Sequence, residues 1–151
     1  MKSGNEKPRL NILLGSGEEE LDKVFGKFLS ETFQEEYAVS SIAIKKYTSS
    51  EIIKISEKFN FDIFIILLNN IIPTDAFNRD LNRTAEVYEI LRYLKKRYQK
   101  PIIGLYGSAL DDIDFEKKVL KAGADCCLLI PFELEVLHRA VIECLNKQKT
   151  L

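Results

Sequence analysis

The residues that could do chemistry at the strand ends of this chain are neutral. Four apolar runs, Ile12-Leu13-Leu14, Ile63 to Leu68, Ile102-Ile103 and Cys127 to Ile130, lead into Ser16-Gly17, Asn69-Asn70, Tyr106-Gly107 and Ile130-Pro131. A hydroxyl, two amides and a phenol can exchange hydrogen bonds. None of them is an anionic nucleophile or a good ligand for a hard cation near neutral pH. The nearest carboxylates, Glu18-Glu19-Glu20, sit where acids of a first helical turn complement the helix dipole; an off-pattern metal ligand is their alternative use. Gly15-Ser16-Gly17 lacks the longer glycine fingerprint of a phosphate loop, and the three acids behind it would repel an anion, so a tight turn is expected. His138 is the sole histidine, and no Ser or Cys nucleophile with an Asp partner can be assigned to it, which makes it a helix-surface or interface residue. Cys126, Cys127 and Cys144 are odd in number and show no CxxC spacing, so they read as buried thiols rather than a disulfide framework or a zinc site. No catalytic residue, metal site or cofactor is assigned.

The elements that position these residues alternate regularly. Leu10 to Leu14 forms a compact apolar strand, and Leu21, Val24, Phe25, Phe28 and Leu29 then recur at helical spacing. A weaker strand spans Ala38 to Ile44, and Thr48-Ser49-Ser50-Glu51 matches a capping box ahead of a helix that ends near Asn60. Phe61 to Leu68 is apolar at nearly every position, as a central parallel strand covered on both faces would be. Val87, Ile90, Leu91 and Leu94 mark the inward stripe of a third helix, with Arg92, Lys95, Lys96 and Arg97 outward. Pro101 to Leu105 is a fourth strand, a short helix covers about Asp114 to Lys121, Cys126 to Ile130 is a fifth strand, and Leu134, Leu137, Val141 and Leu145 define a last helix. Five such repeats predict an α/β fold, a flavodoxin-like (βα)5 three-layer sandwich with a parallel sheet of order 2-1-3-4-5. Its functional crevice would lie outside the carboxyl ends of strands one, three and four.

Length fits one domain: 151 residues bury a substantial core but are short for two. Residues 10–147 are read as that domain, with an inserted loop at about 74–84 and tails at 1–9 and 148–151. A net charge of −1 gives no reason to expect nucleic acid. The absence of a signal-like apolar core at the start and of any run near the ~20 apolar residues of a membrane span points to a cytoplasmic protein without membrane contact.

From Leu10 to Leu145 the chain resembles a response-regulator receiver domain of the CheY-like kind. Asn11 to Glu18 is similar to that family's first strand, Pro101 to Gly107 to its fourth, and Lys121-Ala122-Gly123-Ala124-Asp125-Cys126-Cys127-Leu128-Leu129-Ile130-Pro131-Phe132 to its Gly-Ala-Asp turn, fifth strand and Lys-Pro-Phe ending. The resemblance implies an acidic pair for Mg²⁺ where Ser16 and Gly17 stand, and a phosphoaccepting Asp where Asn69 precedes Pro73 by four residues. It further implies a Thr or Ser at Tyr106 and a phosphate-contacting Lys at Ile130. With ligands, nucleophile, hydroxyl and cation all replaced, the chain reads as a degenerate pseudo-receiver in a signalling or two-component context, not an enzyme. The family's interaction face, helix four with strand five and helix five, makes Lys117, Lys118, Lys121, His138 and Arg139 the candidate contact residues for a protein partner or a homodimer. The alternative is a small-molecule sensor whose neutral pocket is lined by Ser16, Asn69, Tyr106 and the insertion. An enzyme of another flavodoxin-like family ranks third. The insertion, about eight residues beyond the usual crossing, is read as a lid or a surface loop, with Asp75, Arg79, Asp80 and Arg83 pairing among themselves.

Overall fold

The computed structural model describes residues 7–77, 81–107 and 114–149. Five parallel strands, β1 (Arg9–Gly15), β2 (Ala38–Ala43), β3 (Ile63–Leu67), β4 (Ile102–Gly107) and β5 (Cys126–Ile130), form one sheet in the order β2-β1-β3-β4-β5. Five helices connect and follow them: α1 (Glu19–Thr32), α2 (Ser49–Lys58), α3 (Arg83–Tyr98), α4 (Phe115–Ala122) and α5 (Leu134–Lys149). The expected flavodoxin-like topology is therefore the observed one. The elements begin one residue before, and end two residues after, the 10–147 span read from sequence.

Side chains alternate across the strands, so each strand feeds two cores. Leu10, Ile12, Leu14, Ile63, Ile65, Leu67, Ile103 and Leu105 pack with Phe25 and Leu29 of α1 and Leu137, Val141 and Cys144 of α5. Leu13, Phe64, Ile66 and Ile102 face the other way, against Ile52 of α2, Leu91 of α3 and Val119 of α4. All five residues of β3 are buried, as a strand covered on both faces requires.

Local signals act as the sequence predicts, with three differences. Thr48 Oγ1 accepts the Glu51 N–H at 3.1 Å, but the reciprocal half of the capping box is missing because the Thr48 N–H donates to Lys46 O at 2.9 Å. On α1, Val24 is 50% exposed while Asp22 is buried. At about 100° per residue the stripe centres between Phe25 and Leu29, which brings Asp22 inside it and leaves Val24 outside. The Gly-Ala-Asp turn also fastens two elements together, since Asp125 Oδ2 accepts the Ile102 N–H at 2.8 Å and pairs with Lys95 Nζ at 2.6 Å. Lys95, expected outward, is thereby drawn in to tie the end of α3 to the start of β4.

Candidate functional site

At the end of β1, Ser16 is buried and closes on itself. Its hydroxyl accepts the Glu18 N–H at 3.0 Å and donates to Glu18 O at 2.9 Å, while Gly17 takes a left-handed φ of 76°. This is the tight turn expected of Gly15-Ser16-Gly17. Glu19 and Glu20 share Lys23 at 3.7 and 3.6 Å on an exposed helix surface.

The space over that turn is filled by a residue outside the sequence reading. Tyr47, in the connection from β2 to α2, is 4% exposed and lays its ring across Gly15 and Gly17. A Cβ on Gly15 would collide with Tyr47 Cε1, and one on Gly17 would stand 3.1 Å from Cδ2. A side chain at Gly15 would force the ring to shift, and one at Gly17 would crowd it. The Tyr47 hydroxyl donates to Leu67 O at 2.8 Å at the end of β3. Burial pushes its pKa well above 10.0, the nearby Asp22 adding to the rise and the Leu67 carbonyl contact opposing it, so the phenol stays neutral.

Tyr47 is held from behind by the segment that follows β3. A 3-10 turn at Leu68–Asn70 leads to a parallel bridge in which Ile72 N–H donates to Tyr47 O at 3.1 Å and Ser49 N–H to Ile72 O at 3.0 Å. Thr74 continues the join: its N–H donates to Glu86 Oε2 at 3.0 Å, and its Oγ1 accepts the Ser50 N–H at 2.9 Å. Glu86, only 2% exposed, also accepts the Ser49 hydroxyl. Thr74, at the start of the insertion, is thus fastened to the first turn of α2 and to Glu86 of α3. Arg83 donates to Asn69 O at 2.7 Å, and Arg79 and Asp80, named with Asp75 as its expected partners in the loop, lie outside the described residues.

The remaining strand-end residues are committed to the protein. Asn69 Oδ1 accepts the Gly107 N–H at 2.8 Å, and Asn70 Nδ2 donates to Ser16 O at 2.7 Å, which ties β3 to both of its neighbours. Tyr106 turns away from the β1 end. Its hydroxyl donates to Glu116 Oε2 at 2.7 Å, its ring lies 5.8 Å from Phe115, and the Glu116 hydrogen bond, with burial second, raises its pKa to about 12. Ile130 is half-buried and packs into the α1/α5 core. Of the neutral pocket expected from Ser16, Asn69, Tyr106 and the insertion, Ser16 and Asn69 are joined through the Leu68–Asn70 turn, whereas Tyr106 turns to α4; Ile130, expected where receivers keep a lysine, serves a separate contact. Mg²⁺ does not fit here, since none of these residues brings a carboxylate. Among the described residues no group of three His, Cys, Asp or Glu side chains could hold a metal ion.

The candidate contact residues also divide. Lys117, Lys118 and Lys121 are exposed on α4, and Arg139 is exposed on α5. His138 instead packs edge-on against Phe33 at 5.2 Å and Phe28 at 6.5 Å, which places it on the α1 side of α5, away from α4. Burial raises the pKa values of Cys127 and Cys144 to about 12, so both stay thiols as expected. The other unforeseen residue is Asp22. It is 7% exposed, and its Oδ1 is the only buried side-chain polar atom without a partner among the described residues. Burial raises the Asp22 pKa, the nearby Ser16 hydroxyl opposes the rise and Glu18 adds to it. Its position three residues before Phe25 and seven before Leu29 was a signal in the sequence.

No protein-family profile matches the sequence, and no curated protein is a detectable relative. Solved structures are similar throughout the fold. A CheY-like response regulator receiver domain protein from Methanospirillum hungatei superposes with a TM-score of 0.69 at 20% identity, over 94% of this chain and 98% of that one. A response regulator receiver domain protein from Clostridium thermocellum gives 0.68 at 22% identity over 93% and 98%, and a two-component response regulator from Clostridium difficile 0.69 at 18% over 93% and 98%. At these identities the likeness is one of fold. No helix among the described residues is long and apolar enough to cross a membrane.

Proposed function

We propose that the chain is a receiver-like signalling domain that works in the cytoplasm without phosphorylation, through protein contacts on its α4-β5-α5 face, and with no enzymatic step, metal or cofactor of its own. The observation that carries this reading is the Tyr47 ring. It covers Gly15 and Gly17, the second of which stands where the resemblance puts one member of the metal-binding acidic pair, in a fold shared with receivers. Asn69, at the phosphoacceptor position, offers an amide already bonded to Gly107, and an amide does not attack phosphorus as a carboxylate does. The polar groups of Ser16, Asn69 and Tyr106 find partners within the protein, which favours this reading over a ligand sensor built on the same strand ends.

The contact face rests on exposed apolar surface beside cations. Leu129 on β5 is 48% exposed and Leu120 on α4 is 42% exposed. Alternation along β5 turns Leu129 to the same side as Cys127, the side that α4 covers. Lys117, Lys118 and Lys121 lie on that helix, so a partner with an apolar centre and acidic margin is complementary. Incubation of the full chain with Mg²⁺ and acetyl phosphate is expected to leave its intact mass unchanged; a labile phosphoryl adduct on Asn69 or a neighbour overturns the first half of the proposal. Reversing Lys117, Lys118 and Lys121 to Glu is expected to abolish capture of protein partners or self-association. Unchanged association removes the second half.

A further inference from the structure

A cavity of about 730 Å³ lies between α1 and the carboxyl ends of β1 and β2, outside the contacts that close the strand ends around Tyr47. Leu14 and Ile44 form its apolar wall. Gly26, one helical turn beyond Asp22, lets α1 pack closely on the strands at the cavity wall: a Cβ there would come within 3.1 Å of Ser41 Oγ and 3.6 Å of Leu14 Cδ1. Asp22 lines the cavity, is only 7% exposed, and leaves its Oδ1 without a hydrogen-bond donor. Such an atom costs free energy that a bound donor would recover. Lys27 and Lys45 stand exposed on the same cavity without a carboxylate partner among the described residues, whereas Lys23 is shared between Glu19 and Glu20.

These charges select against simple ions. A bare cation would meet three ammonium groups beside the carboxylates of Glu19 and Asp22, and a bare anion would meet those two carboxylates. We propose that the cleft binds a small zwitterion of the α-amino acid class, its ammonium group on the Asp22 carboxylate and its acid group between Lys27 and Lys45. An aliphatic side chain would then lie along Leu14 and Ile44. The ammonium supplies the missing donor and a counter-charge for a buried acid, and the carboxylate supplies what the two lysines lack. The inference is independent of whether the chain is phosphorylated, because no strand-end residue of the receiver pattern takes part except Gly17 at the cavity margin.

The test uses the full chain labelled with ¹⁵N and a mixture of the twenty standard amino acids at millimolar concentration. Amide shifts are expected at Gly26, Ser41 and Lys45, and one or a few members of the mixture should reproduce them. For leucine as a binder, 4-methylpentanoate, which lacks the amine, and isoamylamine, which lacks the acid, should each bind at least tenfold more weakly. Asp22→Asn should weaken binding by a similar factor. Lys45→Ala, at an exposed position, carries the same expectation if the Asp22 variant does not fold. Absence of shifts with the mixture, equal binding of the deaminated analogue, or unchanged affinity in Lys45→Ala overturns the proposal.

Discussion

Tyr47 and Gly15 occupy one space, and each restricts what the other can be. Gly15→Ala forces a Cβ against Tyr47 Cε1 and should destabilise the fold by roughly 1–3 kcal/mol, the usual cost of overpacking. Tyr47→Leu removes the colliding atom, so the double variant should lose less than the sum of the two single changes, measured by urea unfolding in a double-mutant cycle. Strict additivity would mean that the ring does not fill the site. Asp22 gives a pH-dependent counterpart. Its carboxyl pKa is raised on folding, chiefly by burial, so the folded state holds its proton more tightly than the unfolded chain. The associated penalty is absent below the unfolded value near 3.8, grows as pH rises through the folded value, and is then constant. Asp22→Asn should therefore stabilise the ligand-free protein at pH 7, by on the order of 1 kcal/mol, with the gain vanishing in acid. A gain that persists at low pH would assign it to packing. The two residues differ in how far the sequence discloses them. Asp22 can be found by setting the angles of the α1 stripe, whereas Tyr47 sits in a loop with no period and meets Gly15 only through tertiary contact.

At the level of elements, the connection after β3 acts as a third wall of the site. It is joined to the β2–α2 connection and the start of α2 by two backbone bonds at Tyr47-Ile72-Ser49 and by the Thr74 contacts to Ser49 and Ser50, and to α3 by the Thr74 N–H on Glu86. Thr74→Ala keeps the backbone pair but removes the hydroxyl on which Ser49 and Ser50 converge. It should cost about 1 kcal/mol in urea unfolding. Amide exchange at Ser49 and Ile72 should quicken as well, since both bonds belong to the same join; exchange left unchanged would mean that Thr74 does not hold the segment. Strand order, helix stripes and the start of α3, where Asn82 Oδ1 accepts the Ala85 N–H at 2.8 Å, follow from local pattern and were open to sequence reasoning. The path of the insertion was not, because Ile72 pairs with Thr48 across 24 residues of sequence and no periodicity encodes that register. His138 shows the same boundary: its helix was legible, but its side of the helix depended on Phe28 and Phe33 from α1.

For the molecule as a whole, the same fold with a different strand-end chemistry should answer differently to metal. Receivers that gather several carboxylates at one point hold repelling charges in the absence of a cation, and a bound Mg²⁺ relieves them. Here the β1, β3 and β4 ends carry Ser16, Gly17 and Asn69, Tyr47 covers Gly15 and Gly17, and the three ends are tied by amide contacts that do not depend on an ion. A site filled at a hundred times its dissociation constant would stabilise the fold by roughly 2.7 kcal/mol, which for a domain of this size corresponds to about 5–10 °C in Tm. Millimolar Mg²⁺ should instead leave Tm within about 1 °C, by calorimetry at constant ionic strength so that general screening is held fixed. The comparison is sharpest against Ca²⁺ and Na⁺ in the same buffer. A selective rise with Mg²⁺ would require carboxylates to converge where the ring now lies, and since Glu18, Glu19 and Glu20 are the nearest acids in sequence, substituting each by Gln would identify the ligand.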